Sequence, residues 1–201
     1  MRQRFEGHIA GVGSGSGTRV VVGHWHRTPM GAFADVMVET PTGHRVLLAP
    51  RADVAAFVET TYRFDEVRIE PVEVAERGAD WQVSAPSLTL SLRIGRSTVL
   101  GHLLRRLPPR LLTSPAWCRL VDPVARLLLR GVRTTGTARA GRREYYGATD
   151  VRAVLAVTGT FDGHPLGPLR PVHPPCRFGF SSTPRRPSLT TVVTTVTGRT
   201  A

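Results

Sequence analysis

Three features of this 201-residue chain predict an α+β fold, mainly antiparallel β-sheet, open or closed into a barrel, with short helices at about 52–62 and 97–131. The first is a matched pair of turns, "TPMG" (Thr28–Gly31) and "TPTG" (Thr40–Gly43), set between valine-rich runs. The second is "LTLSLRI", in which Leu88, Leu90, Leu92 and Ile94 alternate with Thr89, Ser91 and Arg93. The third is residues 97–133, a leucine-rich helical pattern punctuated by prolines. Strands grouped with strands and helices with helices argue for α+β over an alternating parallel sheet.

The elements follow in order. The glycine run "GVGSGSG" (Gly11–Gly17) fits neither common phosphate-loop spacing, and no helix pattern follows it, so it reads as a hairpin connection. Segments 18–27, 32–39 and 44–49 have strand lengths, and proline at the second and glycine at the fourth turn position suit type I turns. Together they make a three-stranded antiparallel meander. In 52–62, Val54, Phe57, Val58 and Thr61 recur at helical spacing, with Asp53 as the cap. Residues 62–74 return to extended character. "LTLSLRI" then predicts a half-buried strand. Ser114-Pro115 and Asp122-Pro123 read as helix starts, Pro108-Pro109 and Asp122-Pro123 as breaks, and Gly131 as a stop. Beyond 134, "DVRAVLAV" (150–157) and "LTTVVTTV" (189–196) are strand-like, with a turn at Asp162-Gly163 and a long loop over 170–188. Strands at 20–26 and 150–157 are apolar on both faces, as in a sheet covered on both sides.

Length and composition fit one domain, 1–201, with an acidic half (1–90) and a basic half (91–201). The net charge is +12, carried by 27 arginines; lysine and asparagine are absent. Both missing residues have AT-rich codons, so a GC-rich genome accounts for part of the arginine excess. The distribution says more: residues 1–90 hold 9 arginines against 11 acids, and residues 91–201 hold 18 against 4. This asymmetry points to an anionic partner for the second half or to docking of one half on the other. Absence of lysine excludes Schiff-base and phosphate-loop chemistry that needs one. No apolar run approaches the ~20 residues of a membrane span, and the first residues lack the apolar centre of a signal peptide. A cytoplasmic location is therefore expected. Cys118, in a helical stretch, and Cys176, in a proline-rich loop, read as reduced thiols.

Candidate site residues emerge from the turns. If both close tight hairpins, His24 opposes Asp35, His26 opposes Phe33, Glu39 opposes His44, and Met37 opposes both Val22 and Val46. Opposed residues share a face. That face combines two His–carboxylate pairs with an apolar centre, while Val21, Gly23, Trp25, Ala34, Val36 and Val38 form a core face. A carboxylate beside a histidine orients the ring and raises its pKa, which suits acid–base chemistry by His24 and Asp35. His26, Met37, Glu39 and His44 then line a ligand pocket. A closed metal site needs further ligands that the meander does not bring near His24 and His26, so no metal and no cofactor are assigned. A one-residue slip would scatter the constellation. In "GRREYYGATD" (Gly141–Asp150), Arg143 and Tyr145 share one strand face and could hold an anion, with Glu144 and Tyr146 on the other. Residues 93–143 hold 12 arginines and one acid, Asp122. On the second helix, Arg119, Arg126, Arg130 and Arg133 fall opposite Trp117, Val121, Val124 and Leu128, a basic amphipathic face. Interleaved aromatics and nucleic-acid motifs are lacking, which disfavours nucleic acid as the partner.

Through "GHW", "ADVMVE" and "LLAP" in the first half, and "GRREYYGATD" and "RFGFSSTP" in the second, the chain resembles short uncharacterised proteins of GC-rich genomes. That resemblance implies no chemistry. The β-rich outline also resembles an acetoacetate-decarboxylase-like barrel. The lysine on which that family depends has no counterpart here, so decarboxylation by that route is closed. The expected function is binding of a small apolar or anionic ligand by an α+β barrel-like domain. The alternatives are an enzyme using the His–carboxylate pair, or an arginine-rich module resting on an anionic membrane surface or acidic partner.

Overall fold

The computed structural model describes residues 2–128, 134–137, 143–179 and 183–197. Its first half contains β1 (Arg2–Ser14), β2 (Arg19–Arg27), β3 (Phe33–Glu39), β4 (Arg45–Ala49), α1 (Ala52–Glu59), β5 (Glu66–Ile69), β6 (Glu73–Arg77), β7 (Asp80–Ala85) and β8 (Leu88–Ser97). There follow α2 (Val99–Arg105), α3 (Pro109–Leu112), α4 (Pro115–Leu128), β9 (Thr135–Thr137), β10 (Arg143–Phe161), β11 (His164–Pro165), β12 (Leu169–Arg170) and β13 (Ser188–Thr197). The architecture is the predicted α+β, with a largely antiparallel sheet and few short helices.

One sheet unites both halves of the sequence. Its strand order is β5-β4-β3-β2-β1-β13-β10-β8-β7-β6, and among the described residues only the β4–β5 pairing is parallel. The sheet curls into a half-barrel, with β5 and β6 at its ends and no ladder pairing them among the described residues. Side chains span the open side. Arg68 of β5 holds Asp162 in the β10–β11 turn through Nη1–Oδ1 and Nη2–Oδ2 bonds of 2.6 and 3.1 Å. Its Nη1 also donates to the Ser87 hydroxyl in the β7–β8 turn at 3.0 Å.

The curl creates two apolar layers. Inside it, Val20, Val22, Ala34, Val36, Val38, Val46 and Leu48 pack with Trp81, Val83, Leu88, Leu90, Leu92 and Ile94. The clean alternation of β8 is realised: Leu88, Leu90, Leu92 and Ile94 are buried and the residues between them exposed. On the outer face, α1 lays Val54, Ala55 and Val58 over Phe5, Phe33, Leu47, Ala49 and Val196. β10 turns the corner by bulging near Ala148/Asp150 and twice more over Arg152–Ala156, which bends a strand that must serve both sides of the curl.

Several local expectations change. β1 has no clear signal in the sequence, because Gly7, Gly11 and Gly13 weaken its strand pattern. The chain needs them for close approach: a Cβ on Gly7 would lie 2.1 Å from the His24 carbonyl oxygen. The glycine run supplies the end of β1 and then the hairpin turn, with Gly17 at φ 86°. Arg51, not Asp53, is the N-cap of α1; Asp53 lies in the first turn, paired with Arg51 at 3.1 Å. Asp122-Pro123 does not break the second long helix, and α4 runs through Pro123. The Asp122 carboxylate accepts from the backbone N–H groups of Thr134 and Thr135 at 2.8 and 3.1 Å instead of starting a new helix. Gly131, the predicted stop, falls outside the described residues. Cys118 and Cys176 are buried free thiols.

Candidate functional site

The register at the two TPxG turns decides which side chains meet. β2 and β3 pair as Trp25↔Phe33, Gly23↔Asp35 and Val21↔Met37, and β3 and β4 as Met37↔Leu47 and Glu39↔Arg45. Each connection holds an odd number of residues, so each register moves by one from the tight-hairpin expectation. At the second turn, the Gly43 N–H donates to the Thr40 carbonyl at 2.9 Å and Gly43 adopts φ 88°. A turn followed by a left-handed glycine adds one residue to the loop. At the first, pairing with β3 ends at Trp25, and His26 is an extra residue where β2 bulges opposite Glu6/Gly7. The two shifts add to a two-residue displacement of β4 along β2, so Val22 lines up with Leu48 through Val36, and one full pleat period returns β2 and β4 to their expected faces. Only β3 is turned over.

This corrects the predicted constellation. His24 and Asp35 lie on opposite faces of the sheet, and the pairs His26–Phe33 and Glu39–His44 do not form. His24 points inward, directly opposite His8 of β1, with its Nδ1 2.9 Å from Glu76 Oε1. His26 joins them, its Nε2 3.1 Å from His8 Nδ1. His44 turns to Glu66, 3.1 Å away. Glu39 is fully buried between Arg19 and Arg177: Arg19 Nη2 is 2.9 Å away, and the backbone N–H and Nε of Arg177 donate at 2.7 and 3.0 Å. It holds the 170–188 loop to the meander.

Asp35 and Met37 face outward into a cavity of about 60 Å³ beneath α1. Its walls are mainly apolar: Phe5, Ile9, Val21, Trp25, Phe33, Phe57, Val58 and Val196. A few polar groups converge on it. The Trp25 indole N–H donates to Asp35 Oδ1 at 2.9 Å. Gly23 leaves room for that bond, since a Cβ there would fall 2.5 Å from Asp35 Oδ1. From β10, Glu144 accepts from the Thr61 hydroxyl and from Tyr146 OH, the latter at 3.2 Å. Tyr146 OH in turn lies 2.5 Å from Tyr62 OH. The buried Thr194 hydroxyl also lines the cavity and has no hydrogen-bond partner among the described residues.

The electrostatics of this cavity are set by burial. Loss of hydration pushes the Asp35 carboxyl up to about 7, against the Trp25 bond that favours its charged form. Burial likewise raises the Tyr62 and Tyr146 phenols, reinforced by the Glu144 carboxylate, so both are neutral donors. On the inner face, burial lowers His8 and His24 below the ordinary imidazole value, partly opposed by Glu76.

The alternation predicted for 143–146 is realised, but the cavity takes the other face. Glu144 and Tyr146 line it, whereas Tyr145 is buried and Arg143 exposed on the opposite side. Phe57 and Thr61 belong to the helical stripe of 52–62, which marks a buried helix face and not a site, and Tyr62 carries no pattern that marks it in the sequence. Of the arginine block, Arg105, Arg106, Arg110 and Arg119 are exposed on α2–α4. Arg130 and Arg133, and the side chain of Arg126, lie outside the described residues. No described helix is long and apolar enough to cross a membrane.

No family model matches the sequence, and no curated protein matches it. Among solved structures, the fold is similar to an acetoacetate decarboxylase from Legionella pneumophila at 7% identity, over 98% of this chain and 84% of that one, with a TM-score of 0.44. It is also similar to a candidate AttH from Nitrosomonas europaea at 11% identity and a TM-score of 0.29, over 99% of this chain and 39% of the other.

Proposed function

We propose that the chain binds a small, mainly apolar molecule whose head group donates hydrogen bonds, seated between α1 and the outer sheet face. The observation that carries this reading is the cavity beneath α1, where an apolar wall surrounds Asp35, Glu144, Thr194 and the Tyr62–Tyr146 pair. Ligand sites have this character, with few polar groups fixing orientation. At about 60 Å³ it is well below the ~300–1,000 Å³ of drug-sized pockets. It therefore suits a short alkyl amine or alcohol, or the tip of a longer chain. Among the described residues, two carboxylates line it and no arginine or histidine does, which argues against an anion here.

The test is a thermal-shift series with short n-alkylamines and n-alcohols, with the matching n-alkyl carboxylates as controls. Amines and alcohols should raise Tm progressively, with the logarithm of ligand concentration above Kd, carboxylates should not, and Val58→Trp should abolish the response by filling the cavity. A series that shifts nothing, or shifts the filled variant equally, removes the reading.

A second reading rests on a separate surface. Val99, Leu103, Leu111 and Leu120 are exposed on α2–α4, Leu120 at 71%, alongside the four exposed arginines of those helices. Apolar side chains next to basic ones suit an anionic bilayer. Co-sedimentation with phosphatidylserine vesicles should be salt-sensitive and weakened by Leu103→Ser with Leu120→Ser. Absence of sedimentation at low salt removes this second role.

A further inference from the structure

We propose that His8, His24, His26 and Glu76 form a site for a divalent transition-metal ion of the zinc class, distinct from the cavity beneath α1. One ligand atom from each residue lies within 4.8 Å of all the others. The separations between ligand atoms include 2.9 Å for His24–Glu76, 3.1 Å for His8–His26 and 3.9 Å for His8–Glu76. Bonds of ~2.0–2.1 Å to a tetrahedral ion place neighbouring ligand atoms about 3.3 Å apart. The observed values bracket that figure, so small side-chain rotations bring all four onto one ion.

The backbone holds these side chains in place. His8 and His24 are opposed across the β1–β2 ladder, and the bulge in β2 swings His26 onto the same face. The rings of His8 and His24 both stand edge-on to Trp81, with centroids 5.6 Å away and planes at 83°. Trp81 is itself opposed to Glu76 in the β6–β7 hairpin. One indole thus seats the imidazoles and positions the carboxylate. Imidazole nitrogen with one carboxylate suits zinc, copper or nickel rather than magnesium or calcium.

The neighbouring charges are Glu76 and Arg152, whose Nε donates to the Gly95 carbonyl at 3.0 Å. Glu76 is 37% exposed and His24 21%, so an ion reaches the site from solvent. Four protein ligands leave no open position, the pattern of a structural rather than a catalytic ion. Such an ion would clasp the β6–β7 hairpin to β1 and β2, two parts of the sheet that share no strand pairing among the described residues.

The experiment uses tag-free, chelator-stripped full-length protein titrated with Zn²⁺ against a chromophoric chelator, and with Co²⁺ as a visible-absorption reporter. One ion per chain should bind, with tetrahedral Co²⁺ absorption and a metal-dependent rise in Tm. Glu76→Gln and His26→Ala, both at the accessible rim and checked for folding by circular dichroism, should each weaken affinity at least tenfold. His44→Ala, at the separate His44–Glu66 pair, should leave it unchanged. Binding that is absent, or that survives in Glu76→Gln and His26→Ala, or that weakens equally in His44→Ala, overturns the proposal.

Discussion

Asp35 is a carboxyl group held among aromatic and aliphatic side chains, where the Trp25 indole offsets only part of its lost hydration. Its pKa in the fold, about 7, lies above the ordinary 3.8. The folded chain therefore keeps a proton that the unfolded chain releases across that interval. The Asp35 contribution to stability is complete at the acid end and is lost as pH rises towards 7, by about 4 kcal/mol at most. His8 and His24, shifted downward, act in the opposite sense over part of the same range. Asp65 and Glu66, held low by Arg45 and Arg68 respectively, titrate below it. The measurement is thus a difference: denaturation midpoints of wild type and Asp35→Asn between pH 4.5 and 7.5. Relative to wild type, Asp35→Asn should gain stability as pH rises. Parallel profiles would place the Asp35 pKa near its ordinary value.

The elements show what a sequence can and cannot carry. Strand positions in the meander, the α1 stripe and the alternation of β8 follow from periodicity, and each is present. Strand faces depend on the parity of the connections, which no periodicity encodes. Because the two one-residue shifts add to one full pleat period, β2 and β4 keep their expected faces while β3 inverts. That single inversion moves Asp35 from His24 to Trp25 and replaces Glu39–His44 with the buried Arg19–Glu39 pair. The other missing information is distant in sequence: Glu76 meets His24 across 52 residues, and Glu144 meets Thr61 across 83. Parity can be tested at the turn itself. Deleting Gly43 makes the β3–β4 connection even and forces β4 to present the wrong face or lose its pairing. The expected result is a loss of several kcal/mol in chemical denaturation, since Leu47 and Leu48 are both fully buried. Gly43→Asn, which tolerates left-handed φ, should cost only a fraction of that.

At the scale of the molecule, the half-barrel is held shut on its open side by side chains rather than by a ladder. Arg68 reaches Asp162 in a two-bond pair and Ser87 besides, and also Glu66 at 2.6 Å. Networks centred on one arginine are worth more than isolated surface pairs. Replacing Arg68 by Met, which keeps the apolar stem, should lower stability by about 1–2 kcal/mol. Amide exchange should rise in β5 and β6 before the central strands β1, β13 and β10. Uniform exchange across the sheet would show that the open side contributes nothing to closure.

The position of β13 between β1 and β10 has a consequence for biosynthesis. β1 spans Arg2–Ser14 and its partner spans Ser188–Thr197, so the central seam joins the two ends of the described chain. During translation the β1–β4 meander emerges well before its last partner and waits, with one edge of β1 unpaired, until residues 188–197 have left the ribosome. Pairings at such separation are slow to form and expose strand edges meanwhile. Nascent chains stalled before residue 188 should remain protease-sensitive throughout the meander, and chains released past residue 197 should become resistant in one step. Protection acquired earlier would mean that the first four strands mature without their last neighbour.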